Sequence, residues 1–183
     1  MGRFGRTGVG IAIVLSLAAG SAGATLDSSD APCRTAQLRL ALGPGISEAT
    51  GQHTLALRLV NRGRDCVLDG YPLVSLHDRS GAIPFTMRNG GDQMITNRRP
   101  RPVLVRTSAS AVVLLNNYRC DLGGRRTASS VRLLLPKPQA SRGTLVLRLS
   151  STARTVSWCG YGDPGSTLTV SPFEPTIRAA LGG

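Results

Sequence analysis

The chain has 183 residues, 17% of them charged and only 4% aromatic, with a formal net charge of +12. That length suits one domain with a single core of ordinary size, and so few aromatic rings argue against the stacked-base mode of binding single-stranded nucleic acid. All but one of the 22 basic residues are arginine, Lys137 being the exception; a skew of this kind reflects a GC-rich genome more than a selected surface, so no nucleic-acid partner is expected.

Arg3 and Arg6 precede an uncharged apolar stretch from Val9 to Ala19, and Ala22-Gly23-Ala24 follows. This is the n-region, h-region and A-x-A cleavage site of a signal peptide over residues 1–24, with Thr25 as the first mature residue. The apolar stretch is Gly-interrupted and shorter than the roughly 20 residues of a spanning helix, so no stable membrane anchor is expected. Cleavage lowers the formal charge from +12 to +10 by removing Arg3 and Arg6. The expected location is secreted or in the extracytoplasmic cell envelope.

Residues 25–32 are polar and unpatterned, a linker. From Gln37, Leu38, Leu40 and Leu42 alternate with polar or small residues, the period-2 signature of a half-buried strand. Leu55, Leu57 and Leu59 repeat it, with Ala56 and Arg58 facing outward. Cys66-Val67-Leu68 is a short apolar piece, and Leu73 to His77 is a strand. Asp78-Arg79-Ser80-Gly81 has the composition of a hairpin turn, with Ile83 to Met87 as the returning strand. From Arg88 to Pro102 the chain is rich in Gly, Pro and Arg without apolar periodicity; a loop that long is uncommon unless functional or mobile. Strands resume at Val103–Arg106, Ala111–Asn116, Val131–Leu135, Thr144–Leu149 and Thr167–Val170. Eight or nine short strands with turns between them predict an all-β, antiparallel sandwich over residues 33–175. Residues 176–183 read as a flexible tail.

Four cysteines, Cys33, Cys66, Cys120 and Cys159, lie in the mature part. An even count in an exported chain implies two disulfides. Of three pairings, Cys33 with Cys66 and Cys120 with Cys159 is preferred, because each bridge then closes a loop of about 30 to 40 residues. A zinc site would need closely spaced pairs such as C-x-x-C, and there are none.

Asn61, Cys66-Val67-Leu68-Asp69-Gly70-Tyr71-Pro72 and the Asp78–Gly81 turn, together with Trp158-Cys159-Gly160 and Leu168 to Phe173, resemble a family of actinobacterial secreted domains and lipoproteins of unknown function. Its signature is N-x(4)-C-x-L-x-G-Y-P, and the resemblance runs from Cys33 to Glu174. It implies an immunoglobulin-like sandwich and an envelope or extracellular setting, and no activity. The chain departs from lipoprotein members: its first cysteine, Cys33, follows Asp30-Ala31-Pro32 and not a lipobox.

No catalytic, metal or cofactor constellation is expected. There are two histidines, His53 and His77, and no G-x-S-x-G. His77 beside Asp78 reads as an exposed hairpin end, and Glu48 and Glu174 lie in turn-like sequence. His53, His77, Met87 and Met94 lack copper-ligand spacing, Met87 reading as core filling; Asp65 and Asp69 read as a solvated turn rather than a calcium site. Trp158 reads as packed against the neighbouring disulfide. The cluster that invites a role is Arg88, Arg98, Arg99, Arg101 and Arg106, which suits bidentate binding of phosphate or carboxylate groups; Arg125 and Arg126 form a weaker second patch. The favoured reading is a monomeric, non-catalytic binding module of the bacterial cell envelope, engaging an anionic envelope polymer or an envelope protein through the Arg-rich loop. An enzyme with a site assembled from scattered residues, and a purely structural exported protein, stay open as alternatives. Mass spectrometry of the exported protein is expected to show a chain beginning at Thr25; a chain that retains residues 1–24 refutes the cleavage.

Overall fold

Alternating leucines and valines give the chain its strands, and a computed structural model shows how they stack. It describes residues 31–121, 123, 125–137, 143–153 and 155–182. The signal peptide and linker residues 25–30 lie outside the described residues.

The described residues form thirteen strands: β1 (Leu38–Leu42), β2 (Gln52–Asn61), β3 (Cys66–Leu68), β4 (Leu73–Asp78), β5 (Gly81–Ala82), β6 (Thr86–Asn89), β7 (Val103–Val105), β8 (Ser110–Tyr118), β9 (Arg126–Thr127), β10 (Ser130–Leu134), β11 (Leu145–Arg148), β12 (Ser157–Trp158) and β13 (Thr167–Val170). Nine of them build two sheets, ordered β1-β2-β8-β13-β6 and β11-β10-β4-β5; the rest form the short ribbons β3–β7 and β9–β12. Every pairing within these sheets and ribbons is antiparallel except β13 with β6. The order β1, β2, β8 against β4, β10, β11 is that of strands A, B, E against C, F, G in an immunoglobulin-like sandwich. In that scheme β5 is C′ and β6 is D, and β13 is wedged between E and D.

Leu57, Leu59, Val113 and Leu115 from one sheet meet Leu76, Val131 and Leu133 from the other, all at most 1% exposed. Both expected disulfides are formed, Cys33–Cys66 and Cys120–Cys159, with Cα atoms 4.8 and 5.1 Å apart. Bridges closing loops of 33 and 39 residues stabilise the fold by roughly 3.5 to 4 kcal/mol each in the chain-entropy account. The second bridge dictates Gly165, because a Cβ there would run into Cys159 Sγ and the Tyr118 carbonyl. Asn61, fully buried, braces the approach to the first. Its Nδ2 donates to the carbonyls of Arg64 (2.7 Å) and Val105 (2.8 Å), and its Oδ1 accepts from Gly63 N (2.9 Å) and Gln37 Nε2 (3.1 Å).

Four expectations need correction. The strand expected at Ile83–Met87 does not return beside β4: Gly81 and Ala82 pair back, Ile83 N adds one bond to the Leu76 carbonyl, and Thr86–Asn89 crosses to the other sheet to run parallel to β13. Pro84, which lacks a backbone donor, stands at the crossover. Met87 is consequently 43% exposed rather than core filling. Ala56, expected outside, is 3% exposed, because a second apolar cluster covers that face: Ala56, Val112 and Leu114 pack with Met94, Ile95 and Ala180.

The fourth correction concerns the tail. Residues 177–180 form a short helix, α1 (Ile177–Ala180), capped by Thr176 Oγ1 accepting from Ala179 N at 3.1 Å. The Ala180 carbonyl accepts from Thr96 N at 2.9 Å, and its side chain is fully buried. Tail and long loop thus brace each other over the outer face of the five-stranded sheet. Ala180→Glu is expected to lower unfolding stability by about 2 to 3 kcal/mol in chemical denaturation; a frayed tail would leave the midpoint unchanged.

Candidate functional site

Of the five arginines singled out from the sequence, two border one concavity and two act on one carboxylate. Arg88, on β6, and Arg98, ten residues on in the loop, line the same concavity of about 560 Å3, together with Asp92, Asn97 and the Leu181-Gly182 end of the chain. Arg98 and Arg101 lie close enough to Glu174 to favour its charged form. Arg99 and Arg106 are exposed, line neither of the two concavities that Arg88 borders, and make no ion pair among the described residues.

The loop between them is built, not loose. Asp92 Oδ1 accepts from the backbone N of Met94 (2.8 Å) and Ile95 (2.7 Å), an Asx-type turn that drives both apolar side chains into the second cluster. Gly91 N donates to the Thr96 carbonyl at 3.0 Å. Gly90 has φ +64°, and a Cβ there would press on the Tyr71 hydroxyl at 2.8 Å and the Thr96 carbonyl at 3.0 Å. Arg88 Nη2 donates to the Gly91 carbonyl at 2.6 Å, which steadies the guanidinium without neutralising it.

A second concavity of about 290 Å3 adjoins the first and shares Arg88 and Asp92 with it. Sheet register ties its floor into a row of polar residues. Thr54 faces Asn116 across β2–β8, Asn116 faces Thr169 across β8–β13, and Thr169 faces Arg88 across β13–β6. One polar row therefore crosses four strands. Asn116 is its hub: Nδ2 donates to Gln52 Oε1 (2.7 Å) and Asp92 Oδ2 (2.8 Å), while Oδ1 accepts from Thr54 Oγ1 (2.8 Å). Gln52 in turn donates to Gln93 Oε1 at 3.0 Å. Gln52, Thr54, Asn116 and Thr169 are all at most 8% exposed. Asn117, 2% exposed, borders the same concavity; its Nδ2 reaches the Ser157 and Gly165 carbonyls, and its Oδ1 has no hydrogen-bond partner among the described residues.

The sequence singled out Arg88 and missed the row beside it. The available signal was a break in pattern: Gln52 and Thr54 open a leucine-alternating strand, and Asn116-Asn117 end the apolar run Ala111–Leu115.

Elsewhere the candidate residues serve the scaffold. Asp78 forms a two-pronged salt bridge with Arg126, Nε to Oδ2 and Nη2 to Oδ1, both at 2.7 Å. Arg125 and Arg126 are thus not a paired cationic patch: Arg126 is neutralised, and Arg125 lies along Gly160. Hydrogen bonding from Arg126 holds the Asp78 carboxyl at about 2, below its ordinary 3.8. His77 meets Ser75 Oγ at 3.1 Å and is pushed down by burial and by Arg132, against the opposing pull of Asp78. His53 Nδ1 lies 3.8 Å from Glu48 Oε2. Asp65 accepts from Thr107 N at 2.7 Å. Trp158, 8% exposed, belongs to the main core, with Tyr161 edge-on at 5.2 Å. Burial raises the Glu174 pKa despite Arg98 and Arg101, and burial followed by the Glu174 charge raises that of Tyr71.

Because the folded pKa of Asp78 is depressed, its contribution to stability is complete above the unfolded value of 3.8 and fades as pH falls through about 2. In an NMR titration of Arg126→Gln, the Asp78 midpoint is expected to rise from about 2 towards 3.8; an unmoved midpoint would rule out Arg126 as the cause.

Among the described residues no helix is long and apolar enough to cross a membrane. The model of a family described as a domain of unknown function (DUF4232) matches residues 33–174. No curated protein matches the chain, and no solved structure does.

Proposed function

The chain belongs to the DUF4232 family of domains of unknown function, and on that premise we propose that it is an exported, non-catalytic binding module of the actinobacterial cell envelope that engages anionic envelope polymers. The observation that carries this reading is the meeting of Arg88 and Arg98 on one concavity with neither guanidinium in direct salt-bridge contact with a carboxylate, Arg98 acting on Glu174 only at longer range: among the described residues, Asp78–Arg126 is the one arginine salt bridge. Unpaired arginines held by backbone contacts bind phosphate or carboxylate oxygens at little ordering cost. Asp92, in the same concavity, already uses both oxygens on the loop and on Asn116. The export part of the proposal rests on the leader-like residues 1–24 and on two disulfides of the kind that persist in oxidising compartments. The actinobacterial part rests on the Asn61–Pro72 signature and the arginine skew.

With inorganic polyphosphate as probe, the double variant Arg88→Gln/Arg98→Gln is expected to bind about tenfold more weakly than wild type, with a shallower dependence on salt, whereas Arg106→Gln binds as wild type. Equal affinity of the double variant and wild type in titration calorimetry refutes the arginine site.

A further inference from the structure

We infer that the ligand is an acidic saccharide, its hydroxyls held by the amide and hydroxyl row on the outer face of the five-stranded sheet and its acid group by Arg88 and Arg98. The inference rests on the binding-module reading and names its ligand class.

One sheet face is finished in two ways. Where Ala56, Val112 and Leu114 lie, Met94, Ile95 and Ala180 cover them and leave an apolar seam. A step along the same strands, still under the same loop, the positions are Gln52, Asn116 and Thr169, and the surface opens into a concavity. Polar groups are costly to bury, and the neighbouring half shows that this face accommodates apolar cover. The row also keeps unused capacity. The Thr169 hydroxyl, the Gln93 amide nitrogen and the Tyr118 hydroxyl make no hydrogen bond among the described residues, and all three residues border the concavity.

The mixture of groups selects the ligand. A bare polyanion offers acceptors alone and calls for donors throughout. The polar lobe offers donors and acceptors side by side, and the Asp92 carboxylate stands where the two lobes join. A carboxylate there repels an anion and attracts a hydroxyl. Sugar hydroxyls donate and accept at once, which suits amides that present both on one group. Tyr118, at the margin of the polar lobe, adds an aromatic surface of the kind that orients a ligand's apolar face. The adjoining lobe is bordered by both Arg88 and Arg98, beside which a carboxylate or phosphate borne on the sugar would sit.

Titration calorimetry of the mature protein with galacturonate and mannuronate oligomers, a neutral galactose oligomer of equal length, and inorganic polyphosphate tests this. At least one uronate oligomer is expected to bind more tightly than both the neutral oligomer and polyphosphate. Thr169→Val, which replaces a hydroxyl by a methyl of the same shape, and Gln93→Ala, at an exposed position, are each expected to weaken uronate binding about fivefold and leave polyphosphate binding unchanged; matching thermal midpoints establish that both variants fold. Arg88→Gln weakens both ligands. If polyphosphate binds as well as the uronates, or neither Thr169→Val nor Gln93→Ala alters uronate binding, the saccharide inference falls while anion binding stands. If Arg88→Gln alters neither ligand, both fall.

Discussion

The register of β2 against β8 is the constraint on which the rest of the molecule depends. Nine residue pairs, from Gln52 with Tyr118 to Val60 with Ser110, set two long strands in antiparallel alignment. Since side chains alternate between faces, this alignment sends Leu55, Leu57 and Leu59 into the sandwich with Val113 and Leu115. It sends Thr54, Ala56, Val112, Leu114 and Asn116 to the other side. A slip by one residue would put threonine and asparagine in the core and leucine under the loop. The main core thereby enforces the arrangement of the groove: Gln52, Thr54 and Asn116 are placed by a pairing whose opposite face is the main core.

The loop and the tail complete what the register starts. The loop spans from β6 to β7 and would be free to wander were it not for two side chains, Met94 and Ile95, inserted against Ala56 and Leu114. Asp92 makes that insertion geometrically compatible with the polar row, since one carboxylate holds the loop backbone through Oδ1 and the Asn116 hub through Oδ2. Helix α1 closes the other flank through the Thr96–Ala180 hydrogen bond. Arg88 and Arg98 are then fixed relative to one another by a strand at one end and a packed loop at the other, and two like charges are kept on one concavity with no carboxylate in salt-bridge contact with either among the described residues.

Much of the scaffold is legible in the sequence because it follows a period of two. The leucine alternation in β1 and β2, the apolar run of β8 and the paired spacing of the cysteines each carry enough signal to place their elements, and both disulfides follow the loop lengths. The illegible parts depend on partners distant in sequence. β9 and β12 are two residues each and exist through their mutual pairing, so no window of sequence marks them. Thr86–Asn89 has four exposed residues and reads as a continuation of the hairpin; only the edge offered by β13 draws it to the other sheet. Ile177–Ala180 is too short to be stable alone and is held by a surface assembled from β2, β8 and the loop.

The candidate site divides along the same line. Arg88 and Arg98 are visible because arginine in a long loop is conspicuous, yet the sequence groups them with Arg99 and Arg106, which border neither lobe of the groove. Gln52, Asn116 and Thr169 belong to three strands, and each looks ordinary where it stands. They become a row only through two separate strand registers. Charge is therefore a poor guide to where a ligand is read in this protein. The arginines sit at the rim, where solvent screens them and a bond to any anion is available, whereas the nearly buried amides and hydroxyls below offer hydrogen bonds of fixed direction in a place where leaving one unmade is costly. Discrimination among anionic ligands accordingly belongs to the floor of the groove, and attraction to its rim.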